Sequence, residues 1–336
     1  MSLPGVRKTA SWLVFGASLL LAFSLIPSVT AAPLLCGRFV VTIVGSENAD
    51  ALTGTPGEDV IHALGGNDRV DGQGGNDVIC GGAGNDVLLG GDGNDLLIGD
   101  FLIGTDLPDK IRGGNDDLYG GPGEDILEGD HIEGRGGDDQ LTGGIDTLWG
   151  GLDHDRLQGD WIFGNGGHDT IRGGADRLYG EGGQDEVNGD FLLGDMPQVG
   201  GNDQIHGGAD VLDGGEEGDT LAGDYVLATT GNDTVFAGND AMTGGAGDDR
   251  LLGDHVFGSG GVDVVHLGTD RLDGGEGNDR IIADSYNTFE TETGGGDLID
   301  GGNGDDLLEC QAGHDSADGG AGTDVAIECE TARNVP

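Results

Sequence analysis

The chain has 336 residues, 74 of them Gly, with 5% aromatic content and a formal net charge of −49. So few large apolar side chains exclude a conventional globular core for a chain of this length, leaving a repeat array or a disordered polymer. The acidity repels phosphates, which excludes nucleic acid as a partner, and it stores carboxylates for a hard cation.

At the N-terminus, Arg7 and Lys8 precede an apolar run from Trp12 to Ile26, followed by small residues through Ala31 and Ala32. That run is short for a membrane span, which needs about 20 residues, and it has the organisation of an export signal over residues 1–32. Membrane contact is expected only through this segment, if it stays uncleaved. Residues 33–44 form an N-terminal cap. Cys36 and Cys80 lie near one end of the chain, and Cys310 and Cys329 near the other. An even number of cysteines in an exported chain favours disulfides. Pairing within each group would staple the terminal repeats, where a solenoid frays.

Residues 45–98 divide into nine-residue units such as GQGGNDVIC (72–80), GGAGNDVLL (81–89) and GGDGNDLLI (90–98). Residues 99–287 follow a longer period of 30, marked by Asp100, Asp130, Asp160, Asp190, Asp224, Asp254 and Asp284, with one step of 34. Each period divides into units of five, nine, seven and nine residues: GDWIF (159–163), GNGGHDTIR (164–172), GGADRLY (173–179) and GEGGQDEVN (180–188). Residues 288–327 hold one longer unit (288–300) followed by nine-residue units, and residues 328–336 form a C-terminal cap. All units share D-x-U-x, where U is aliphatic or Met except at Tyr286, Ala317 and Ala326. The units differ in length by two or four residues. Strand side chains alternate with period 2, so such differences keep every U on the inner face. A periodicity of this kind predicts an all-β fold, a parallel β-roll or β-helix solenoid.

The recurring pattern GGxGxDxUx resembles the haemolysin-type calcium-binding nonapeptide repeat of the RTX family, over nearly all of the mature length. The resemblance implies Ca2+ held between stacked loops by backbone carbonyls and aspartates. A roll with two units per turn alternates its loops between two edges. One edge then collects the long loops that end at Asp59, Asp77, Asp95, Asp109, Asp125, Asp139, Asp155, Asp169, Asp185, Asp203, Asp219, Asp233, Asp249, Asp263, Asp279, Asp297 and Asp315. The opposite edge is expected to bind calcium only near its ends, at Asp50, Asp68, Asp86, Asp306 and Asp324. Between them, loops of one or three residues leave a row of aspartates without an evident counter-charge. A stack of carboxylates predicts a largely unfolded chain without metal, folding at roughly 10⁻⁴–10⁻³ M calcium.

No HExxH or GxSxG motif occurs, and no long segment lies outside the repeats, so no enzyme activity is expected. One predicted sheet face collects Tyr119, Trp149, Trp161, Phe163 and Tyr179, a candidate surface for glycan, matrix or self-association. The sequence thus predicts a secreted or cell-surface calcium-binding protein with an adhesion or matrix role. A pure calcium-dependent scaffold or buffer is the alternative, as is an RTX toxin or an accessory module of an extracellular enzyme.

Overall fold

The computed structural model describes residues 34–336 except 195–200, 229–231, 259–262, 287–290, 312 and 336. The segment expected to act as an export signal therefore lies outside the described residues. Among the described residues every regular element is a strand. Apart from the antiparallel pair Leu35–Cys36 and Phe39–Val40, all strands pair in parallel.

The D-x-U-x pattern accounts for the strands. In the unit 81–89 the strand Val87–Leu89 starts directly after Asp86, and it buries Leu88 while Val87 and Leu89 face outward. Glycines permit the turns between strands. Gly84 has φ of +143°, and a Cβ there would collide with the carbonyl oxygen of Gly66 one turn below.

At both ends the coil has the expected two units per turn. Val60 pairs with Val78 and Val78 with Leu96, each eighteen residues on; Leu298 pairs with Ser316 in the same way. Between these ends the expected two-unit turn is corrected. One turn there takes four units, so Ile126 stacks on Arg156 and Gln140 on Thr170.

The path of one such turn shows why. Ile126–Glu133 runs as one strand in the longest sheet, straight through Gly129 and Asp130. A loop then leads to Gln140–Thr142 in a sheet present only in this middle region. The short segment 143–146 steps across to Thr147–Leu152, in a third sheet that runs almost the whole length. The next loop returns the chain to Arg156–Phe163, on top of its starting point. The five-residue unit therefore makes no reversal: it is the second half of a long strand.

That strand buries both Leu127 and Ile132, five residues apart, although strict alternation would put them on opposite faces. The ladder skips Gly129, and Gly129 and Asp130 are both buried. The phase of the strand is reset there, as at a stacked bulge.

Two hydrophobic columns result. Leu127, Leu148, Leu157 and Leu178 belong to one column, which extends the length of the coil. Ile132, Leu141, Ile162 and Ile171 belong to another, confined to the middle. Each such side chain contributes about 1.5–3 kcal/mol by leaving water. Of the three departures at U, Ala317 is buried, Ala326 is partly buried, and Tyr286 packs half-buried on the second column. Cys36 bonds to Cys80 and Cys310 to Cys329, pinning the first and last coils as expected.

The four-unit turn also corrects the single aromatic face. Tyr119, Trp149 and Tyr179 stack in the third sheet, with ring centroids 4.4 and 5.8 Å apart. Trp161 and Phe163 lie instead in the longest sheet. There Phe101, His131, Trp161, Phe191 and Tyr225 form a separate ladder, with successive centroids 4.9–5.6 Å apart. The predicted face is thus two ladders on different sheets, because units adjacent in sequence no longer alternate between only two layers.

Candidate metal centre

Every turn places its aspartates above those of the turn before, and the stacking sorts them into four rows. In each of the first three rows the backbone N–H of one Asp donates to Oδ1 of the next. One row runs through Asp59, Asp77, Asp95, Asp125, Asp155, Asp185, Asp219, Asp249, Asp279, Asp306 and Asp324. A second joins Asp109, Asp139, Asp169, Asp203, Asp233 and Asp263 at the margin of the middle sheet. These two rows were expected to be a single edge. They are separate because stacking joins residues a full four-unit turn apart.

The third row begins at Asp50, Asp68 and Asp86, continues through Asp116, Asp146, Asp176, Asp210, Asp240 and Asp270, and ends at Asp297 and Asp315. Asp297 and Asp315 thus leave the edge predicted for them, and Asp306 and Asp324 take their place there. Asp100, Asp130, Asp160, Asp190, Asp224, Asp254 and Asp284 form the fourth row, inside the long strands except at Asp190 and Asp224, where the strand is interrupted.

The geometry of one outer site is set by Gly120, Asp125 and Gly150. Asp125 Oδ1 accepts from the Asp95 amide at 2.7 Å, while Asp125 Oδ2 is buried and has no hydrogen-bond partner. A Cβ at Gly120 would lie 2.5 Å from Asp125 Oδ2 and 2.5 Å from the Gly150 carbonyl oxygen. The missing Cβ thus leaves a cradle on which a carboxylate oxygen and a carbonyl from the next turn converge. Gly54 repeats the arrangement at the N-terminal end, between Asp59 Oδ2 and the Gly72 carbonyl oxygen. Only oxygen donors line these cradles, which suits a hard cation such as Ca2+ and not a soft one.

Electrostatics point the same way. Burial pushes the carboxyl of Asp77 up to about 6, Asp86 to about 7 and Asp155 to about 8, and neighbouring aspartates add to the rise. Inside the molecule, burial followed by repulsion from Asp100 and Asp130 takes Asp116 to about 10. Ion pairs among the described residues involve Glu128, Glu133, Glu186 and Glu309, and none of these reaches an aspartate of the first, third or fourth row. A bound divalent ion would supply the counter-charge that the side chains do not.

Sequence reasoning left the interior aspartates without an evident counter-charge and named none of them as a ligand. Their GD dipeptides were visible at the 30-residue period, but their burial depends on the middle sheet, which the two-unit turn did not foresee.

Comparison with known protein families matches the RTX calcium-binding nonapeptide repeat (4 copies) over residues 44–79, 74–105, 99–127, 128–146, 142–161, 159–176, 163–191, 200–221, 222–251, 266–285 and 293–326. No curated protein matches the chain. The matched segments cover more than half of the sequence and fall on the coils whose loops carry these cradles, so the chain belongs to the RTX calcium-binding repeat family and is a calcium-binding β-roll protein.

Proposed function

We propose that this is an exported, non-enzymatic protein that folds when calcium fills its loops outside the cell and then presents a rigid surface for adhesion or matrix contact. The observation that carries the reading is the succession of buried, unpartnered Asp Oδ2 atoms along the first row, from Asp77 to Asp324, which spans nearly the whole coil. Carboxylates buried without a counter-charge oppose folding, whereas carboxylates bridged by an ion support it. On this reading the aspartates of the two outer rows are ligands, together with Asp50, Asp68, Asp86, Asp297 and Asp315. Residues 1–32 serve as the export signal, and the nonapeptide blocks at 45–98 and 288–327 enclose the 99–287 core.

The deciding experiment is a circular dichroism titration of the exported chain. Little β-structure in chelator and a cooperative rise at roughly 10⁻⁴–10⁻³ M calcium are expected. Full β-structure in chelator would overturn the proposal.

Contact through the aromatic ladders is the second element. Tyr119 is 37% exposed, and its ring lies parallel to that of Trp149, with an interplanar angle of 2°. A flat stacked strip of this kind suits the apolar face of a sugar ring or a second copy of the strip. Loss of glycan binding and of self-association in Trp149→Ala, with calcium-induced folding intact, is the expected result. Retention of both would leave a calcium-dependent scaffold.

A further inference from the structure

We propose that the interior aspartates hold a second set of divalent cations, in a file between the two hydrophobic columns and apart from the outer loops. The inference rests on the calcium reading above only for the identity of the ion.

Three observations carry it. Asp130, Asp146 and Asp160 form a triad in which one carboxylate oxygen of each lies within 4.8 Å of the others, and all three residues are fully buried. The same triad recurs up the coil, for example as Asp160, Asp176 and Asp190, with the Asp of the long strand shared between successive triads.

The free oxygens are the second observation. Asp130 Oδ2 accepts from the Gly144 amide at 2.6 Å and Asp160 Oδ2 from Gly174 at 2.6 Å, while Asp146 Oδ1 accepts from Asp116 at 2.7 Å. That leaves Asp130 Oδ1, Asp146 Oδ2 and Asp160 Oδ1 buried without a hydrogen-bond partner. Each side chain is tethered by one oxygen and keeps the other buried and unpaired.

Third, the interior repeats the outer cradle. A Cβ at Gly129 would collide with both Asp146 Oδ2 and the Gly159 carbonyl oxygen, as one at Gly120 would meet Asp125 Oδ2 and the Gly150 carbonyl. An equivalent convergence of carboxylate and carbonyl therefore exists where no long loop is present.

Charge sets the stoichiometry. Each four-unit turn adds two interior aspartates, one from the long strand and one from the short step, and no ion pair among the described residues reaches them. One divalent cation per turn neutralises two carboxylates, whereas two bare charges in a dry interior would be strongly unfavourable. The interior file is therefore expected to match the number of four-unit turns, not the number of loops.

The test is a crystal of the calcium-loaded mature chain, with an anomalous difference map collected at long wavelength. Peaks within the Asp130–Asp146–Asp160 triad and its equivalents, in addition to peaks in the outer cradles, are expected. Outer peaks with an interior free of anomalous density would overturn the interior file and leave the outer reading standing. Absence of peaks everywhere would defeat both. In solution, Asp146→Asn keeps the acceptor for the Asp116 amide while removing the charge. It should lower bound calcium by about one ion per chain in equilibrium dialysis. An unchanged ion count in that variant would sink the proposal, and if the variant does not fold, the anomalous map of the unaltered chain decides.

Discussion

Asp125 and Asp155, thirty residues apart, are joined by a 2.8 Å hydrogen bond from the Asp125 amide to Asp155 Oδ1, while Asp155 Oδ2 stays buried and unpartnered. One carboxylate thus has two duties: Oδ1 ties one coil to the next, and Oδ2 faces the cradle.

Substitutions at Asp155 separate those duties. Asp155→Asn keeps an acceptor for the Asp125 amide and removes the charge, so it should raise the calcium concentration needed for folding. Asp155→Ala also orphans a buried N–H, which costs about 1–3 kcal/mol more. Calcium midpoints from circular dichroism should rank wild type lowest, then Asn, then Ala. Equal midpoints for Asn and Ala would show that Oδ1 contributes nothing to coil stacking.

Leu148 tests the longer hydrophobic column. It is fully buried in the column that includes Leu118, Leu127, Leu157 and Leu178. Leu148→Ala should destabilise the calcium-loaded protein by about 2–5 kcal/mol in guanidinium unfolding. Since coils contact only their neighbours, the loss should appear as local opening around that coil before the ends unfold. Hydrogen exchange resolved by segment would reveal it, and uniform exchange along the coil would contradict it.

Glycine requirements differ by position. Gly84 combines φ of +143° with a backbone collision for any Cβ, whereas a Cβ at Gly182 would meet nothing closer than 3.9 Å. Gly84→Ala should therefore lower the thermal midpoint markedly, by strain of at least about 1–3 kcal/mol. Gly182→Ala should leave it nearly unchanged. Similar midpoints for the two variants would contradict the close stacking of Gly84 on Gly66.

Acid should partly substitute for calcium. The raised carboxyls, such as Asp86 at about 7, Asp155 at about 8 and Asp116 at about 10, bind protons in the folded chain at pH values where the unfolded chain is ionised. The folded state then holds more protons, so its stability without metal falls as pH rises through that window and grows as pH falls. In chelator, β-structure should increase on acidification from about pH 8 to about pH 5. With calcium present the trend should reverse, because protons compete with the ion for the same oxygens. A flat profile in chelator would argue against burial of these carboxylates.

Much of the molecule was legible in the repeat itself. The aliphatic residue two positions after each Asp marks the interior at Ile61, Leu127 and Ile205 alike, because a solenoid buries the same register position in every coil. The cysteine pairs followed from their places at the two ends. The path of the chain between Asp100 and Asp284 was not legible. A GD dipeptide looks like a shortened loop, yet in Ile126–Glu133 it is the point where a strand resets its phase and keeps going. The aromatic residues were misassigned to one face for the same reason.

By itself, the sequence determined the strands, the inward residues, the calcium chemistry and the membership of the repeat family, since each of these depends on a local pattern repeated many times. Only the tertiary structure decided how many units close a turn, and hence which aspartates stack and which are sealed inside. That choice depends on which strands pair across thirty residues, a long-range property that no single nonapeptide carries.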